Sequence, residues 1–139
     1  MKFSNEVYKL CTVLHDMKLT NIVLCDTSML CNAVDFYIIA TASSSTQAKC
    51  ALDKLIETVD EDKSFVVCNK EGYNISDWFV ADLESGFVHI FTKSEREKYN
   101  IEKLVNEGKN IIAFEKMQKQ YEKNLEKQKK VQGRGKKSL

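Results

Sequence analysis

A chain of 139 residues, 43% apolar and 29% charged, is long enough for one domain with its own core and some chain to spare. Proline is absent and glycine numbers only 5, which excludes collagen-like, linker-rich and low-complexity classes. The net charge of +1 is split: residues 1–108 carry 11 Lys/Arg against 17 Asp/Glu (−6), and residues 109–139 carry 10 against 3 (+7).

Residues 4–17 place Val7, Leu10, Cys11, Leu14 and Met17 at helical spacing, with Ser4 or Asn5 as the cap and Glu6 in the first turn. Residues 21–26 (NIVLCD) are a short apolar run with Ile and Val, which predicts a strand. TSMLCN reads as a loop. Residues 35–41 (DFYIIAT) form a second strand, apolar on both faces and therefore central. After ASSS, the residues Ala48, Ala51, Leu52, Leu55, Ile56 and Val59 predict a helix capped by a serine and ending near Asp60–Asp62.

Residues 64–68 (SFVVC) read as a third strand, and a strand–helix–strand crossover makes the second and third parallel. Beyond the polar loop NKEGYNIS, residues 77–83 and 86–91 are strands joined by Glu84-Ser85, so short a link that they form a hairpin. Ser94 and Glu97 have the capping-box spacing. They open a helix bearing Tyr99, Ile101, Leu104 and Val105, which Gly108 can end. Further on, Ile112, Phe114, Met117, Tyr121 and Leu125 make a thin helical stripe on an otherwise Lys/Glu/Gln chain. The last ten residues hold too little apolar surface to order themselves. The expected division is a domain at 1–108 and a basic, helical-to-disordered tail at 109–139. The expected fold is a single α/β (α+β) domain: a mixed sheet of about five strands with helices mainly on one face.

The hairpin carries the candidate site. With Glu84-Ser85 as the turn, Trp78 pairs with Phe91, Val80 with His89 and Asp82 with Phe87, all on one face. Phe79, Ala81, Val88 and Ile90 take the other face as core. The first face mixes aromatics with His and Asp, as interface patches do, unless a helix covers it. A three-residue loop with Gly86 left-handed would exchange the two faces. His15 and His89 have no metal-ligand neighbour at a recognised spacing. The serines at 43–45 are helix caps rather than a phosphate loop, because no glycine-rich signature accompanies them. No strand carries the paired carboxylates of a Mg²⁺ site, so no metal or cofactor is expected. The cysteines at 11, 25, 31, 50 and 68 are odd in number and form no CxxC, which suits reduced thiols in a cytoplasmic protein. No apolar run reaches the ~18 residues of a membrane span, and the start lacks a secretory h-region. The acidic body favours a basic protein partner, and the tail is a candidate for contact with RNA phosphate.

Taken in order, DFYIIAT (35–41) with the serine pair after it, EGYNISDWFVADL (71–83), VHIF (88–91) and REKYNIEKL (96–104) resemble the ribosomal silencing factor, or Iojap-like, family. The resemblance spans about residues 7–105. The family's Gly after Ala-Thr is Ala42 here, and its final Trp is Val105. The resemblance implies a fold similar to nucleotidyltransferases without their paired metal-binding carboxylates. It also implies a non-enzymatic translation repressor that binds the large ribosomal subunit through the universal protein numbered fourteen, at the subunit-joining face. There it would block the small subunit when nutrients are short. The expected partner-binding residues are Asp77, Trp78, Val80, Asp82, His89 and Phe91. Neither a membrane nor a small-molecule substrate is expected. The competing reading is a nucleotidyltransferase-like enzyme using Asp and Ser residues with Mg²⁺.

Overall fold

The computed structural model describes residues 3–28, 34–68, 72–73, 77–101 and 110–137. Helix α1 (Asn5–Asp16) starts where Ser4, in an extended conformation, accepts a hydrogen bond from Val7 N at 3.2 Å. Its buried stripe is Val7, Leu10, Cys11 and Leu14. Strand β1 (Thr20–Asp26) buries Ile22 through Cys25, and β2 (Phe36–Ala42) pairs antiparallel with it. Helix α2 (Ser45–Asp62) is capped by Ser44, which accepts from Gln47 N, and ends at Lys63 in the left-handed region. Strands β3 (Gly72–Tyr73), β4 (Trp78–Asp82) and β5 (Gly86–Thr92) follow, then helix α3 (Lys93–Tyr99), strand β6 (Ile111–Ala113) and helix α4 (Phe114–Lys137).

The strands make one mixed sheet in the order β3-β4-β5-β2-β1-β6. The sheet's parallel pair is β2 with β5, which stay in register from Phe36↔Gly86 to Ala42↔Thr92. Gly86 is needed there: a Cβ on it would sit 2.5 Å from the Phe36 ring. Helices α1, α2 and α4 bury their stripes on one face, against Leu24, Ile38, Ala40, Phe79, Val88 and Ile90. The opposite face holds a smaller cluster of Val23, Cys25, Ile39 and Phe91, with Tyr99 at the end of α3 packed against it.

Four expectations are corrected. Residues 64–68 are not a strand, although Phe65 and Val67 pack on the core, Val66 is exposed, and Cys68 N donates to Asp82 O at 2.8 Å. The place beside β2 that they were to occupy is filled by β5, whose hairpin offers a longer ladder. The capping box at Ser94 is not used: Thr92 is the N-cap of α3 and makes no side-chain cap bond. That helix stops at Asn100, which is left-handed (φ 37°), so it ends before the expected Gly108; Leu104, Val105 and Gly108 lie outside the described residues. Finally, the stretch after 110 is more than a thin helical stripe. Ile112 lies in β6 rather than a helix, paired with Leu24 of β1, and Ile112, Phe114 and Met117 are buried in the main core. The main core thus draws on residues beyond 110, and α4, rich in the helix formers Lys, Glu and Gln, extends to Lys137.

Candidate functional site

The hairpin has the register its short link predicts: Trp78↔Phe91, Val80↔His89 and Asp82↔Phe87. Glu84 takes the left-handed turn position (φ 64°), which leaves Gly86 inside β5 and keeps the faces as expected. Continuing the rows through β5 into β2 sets Phe87 beside Tyr37, His89 beside Ile39 and Phe91 beside Thr41. The result is a belt of aromatic side chains across three strands. Tyr37 meets Phe87 edge-on at 5.6 Å and His89 at 5.2 Å. Trp78 stacks on Phe91 at 5.1 Å and leans on Tyr99 at 5.1 Å.

Cover on this face is uneven. Helix α3 lies over the Phe91 end, held by Arg96, which donates to Asn21 O and to Thr41 Oγ1, the latter at 2.9 Å. Arg96 is itself buried, so its stem also packs. Tyr37, Trp78, Val80, Asp82 and Phe87 stay half-buried, whereas Phe91 is 1% exposed and His89 8%. The covered end gives rigidity. The half-buried end presents a rigid aromatic and aliphatic surface of the kind that anchors protein contacts.

His89 is the polar centre of the belt. Its Nδ1 accepts a hydrogen bond from Trp78 Nε1 at 3.0 Å, which assigns the ring proton to Nε2. Nε2 is buried and has no hydrogen-bond partner among the described residues. Desolvation by the surrounding rings lowers the imidazole pKa to about 4, so at neutral pH the ring is uncharged. A neutral His with one side satisfied can sit under an apolar contact surface, whereas a charged one would be costly there.

The expected site residues fall into three groups. Trp78 and Val80 are on the half-open surface. His89 and Phe91 share the face but lie beneath it, supporting Trp78 from below. The two carboxylates already serve the fold. Asp82 Oδ1 accepts from Glu84 N at 2.9 Å in the hairpin turn. Asp77, left-handed at φ 50°, accepts from the Ser45 hydroxyl at the start of α2, and its carbonyl accepts from Thr92 N. Tyr37 and Tyr99 were missing from the expected set. Tyr37 alternates onto this face within β2, but only the parallel pairing with β5 brings it beside His89.

Carboxylates and serines do meet elsewhere. Asp26, Ser28, Asp35 and Ser85 line a cavity of about 310 Å³ floored by Phe3, Val7, Leu24 and Phe36. Asp26 Oδ1 accepts from both the amide and the hydroxyl of Ser28. Among the described residues no three His, Cys, Asp or Glu side chains converge to hold a metal ion. No helix among them is long and apolar enough to cross a membrane.

A mixed sheet with its main helical layer on one side and a half-covered aromatic belt on the other defines a single α+β domain. Residues 2–138 match the family model described as ribosomal silencing factor during starvation. The ribosomal silencing factor of Haemophilus influenzae is 38% identical over 91 residues, covering 66% of this chain and 88% of that protein. The Halalkalibacterium halodurans factor is 30% identical over 89 residues, covering 64% and 75%. A crystal structure of a Chromobacterium violaceum protein superposes with a TM-score of 0.68 at 26% identity, over 76% of this chain and 87% of that one. The chain belongs to the ribosomal silencing factor family.

Proposed function

We propose that this ribosomal silencing factor represses translation by binding the large ribosomal subunit through the half-open end of its aromatic belt. In this reading the contact is with the universal large-subunit protein numbered fourteen, and the bound body blocks the small subunit from joining. The protein works by occupying a surface rather than by chemistry. The observation that carries the reading is the belt itself. Tyr37, Phe87, Val80 and Trp78 are half-buried on one face of strands whose other face is the main core. The charge of −6 over residues 1–108 complements a basic ribosomal protein and would speed the encounter.

Co-sedimentation with purified large and small subunits tests it. The expected result is binding to large subunits alone, weakening as salt screens the complementary charges, with subunit joining slowed in a light-scattering assay. Equal binding to both subunits, or to neither, overturns the proposal.

A further inference from the structure

Helix α4 carries its cations in a line. Lys116, Lys119, Lys123 and Lys127 are exposed and spaced by three, four and four residues. The sequence continues that spacing at Lys130, Arg134 and Lys137. At roughly 100° per residue all these positions fall within an arc of about 80°. Phe114, Met117, Tyr121 and Leu125 centre on roughly the opposite side of the helix.

That opposite side is the anchored one. Phe114 and Met117 are buried in the main core, and Tyr121 stacks on Tyr8 of α1 at 4.3 Å. Anchoring one face turns the lysine line away from the domain. Glu115, Glu122 and Glu126 fall beside the line and not within it. Among the described residues the ion pairs are Lys9–Asp62 and Lys54–Glu57, so none engages Lys116, Lys119, Lys123 or Lys127. Successive cations along the line are about 4.5–6 Å apart in rise, and the whole line spans about 32 Å.

We infer that this line of cations is an RNA-backbone contact, laid along rRNA phosphates while the aromatic belt holds a protein. The inference deepens the large-subunit reading and rests on it for the identity of the RNA. A straight, regularly spaced row of positive charge matches a polyanion with regularly spaced phosphates. A folded acidic protein offers no such continuous row. The body at −6 would repel RNA, so phosphate contact has to be made by an element that stands apart from it. Such a contact positions the protein and reads no sequence.

The test compares two full-length variants of equal charge. Lys123→Gln with Lys127→Gln removes two charges from the line; Lys129→Gln with Lys136→Gln removes two from outside it. Glutamine and lysine have similar helix propensity, so both variants keep α4. Binding to large subunits and to a mixed-sequence RNA duplex is measured from 50 to 200 mM salt. Each phosphate contact contributes about 0.7–0.9 to the slope of log K against log salt. The on-line variant is expected to bind more weakly, with a slope shallower by about 1.4–1.8, so that the wild-type advantage shrinks about tenfold across the range. The off-line variant is expected to follow the wild type. Equal losses in both variants would mean that net charge acts rather than the line, and would overturn the inference. An unchanged slope in the on-line variant, with wild type bound to large subunits, removes the RNA contact and leaves the large-subunit reading standing. Wild type that ignores subunits yet binds duplex with the expected difference keeps the contact and removes that reading.

Discussion

Trp78 serves both the fold and the proposed contact, and the two roles separate by magnitude. Replacing a fully buried Trp by Ala costs ~3–5 kcal/mol, and Trp78 is half-buried, so about 2 kcal/mol follows from lost packing on Phe91 and Tyr99. The change also strands His89 Nδ1 without its donor, which adds about 1 kcal/mol. The sum, about 3 kcal/mol, lowers the melting temperature by roughly 12 °C at about 4 °C per kcal/mol for a domain of this size. A stability of ~5–15 kcal/mol leaves the variant folded. Trp78→Phe keeps the stack and loses the N–H, so it should cost about 1 kcal/mol, or roughly 4 °C. Loss of a central interface aromatic costs ~2 kcal/mol of binding, about 30-fold in affinity. Val80→Glu isolates the second role: Val80 is half-buried, so the fold should tolerate Glu there while a carboxylate pressed against the partner abolishes tight binding. Thermal melts and large-subunit co-sedimentation on all three variants decide the matter. A Trp78→Ala protein that melts with the wild type refutes the packing argument. A folded Val80→Glu protein with wild-type affinity refutes the assignment of this face.

Three more outcomes are expected. Burial holds His89 at about 4 against 6.5, so as pH falls the unfolded chain takes the proton first. Stability should be full above about pH 6.5 and decline toward pH 4 by up to about 3 kcal/mol, a loss that His89→Gln flattens; a folded-state NMR titration near 6.5 would contradict this. Arg96→Met keeps the packed stem but removes the bonds to Asn21 O and Thr41 Oγ1, at a cost of about 3 kcal/mol. Amide exchange across Lys93–Tyr99 should quicken, and unchanged protection would show that Arg96 does not hold α3. Ending the chain after Glu126 should leave the melt within about 2 °C, whereas ending it after Glu115 removes buried Met117 and the Tyr121 stack and should cost about 3 kcal/mol or more; equal melts for the two truncations would refute the core role of α4.

Residues 4–17 and 45–62 declare helices by themselves, because a 3.6-residue apolar period closed by a serine cap has few other solutions. The hairpin is equally local. A short link allows two registers, and the left-handed Glu84 selects the one in which period-2 alternation assigns Trp78, Val80, His89 and Phe91 to one face and Phe79 and Ile90 to the other. Family membership was legible because its motifs are contiguous blocks of sequence, read without knowing how the strands pair. Long-range pairing was not legible. SFVVC has the composition of a strand, but β5 competes for the edge of β2 with a seven-residue register, and nothing within 64–68 reports on that rival. The same pairing decides that Tyr37 joins the belt. Residues 111–117 look like the start of a solvated tail until the free edge of β1 takes in Ile111–Ala113 and the core takes in Met117. Cover over the belt was beyond the sequence as well. Whether α3 shields Phe91 depends on a buried Arg96 reaching Asn21 and Thr41, 75 and 55 residues away. Spacing along a chain specifies which residues share a face; only the docking of one element on another specifies how much of that face stays open.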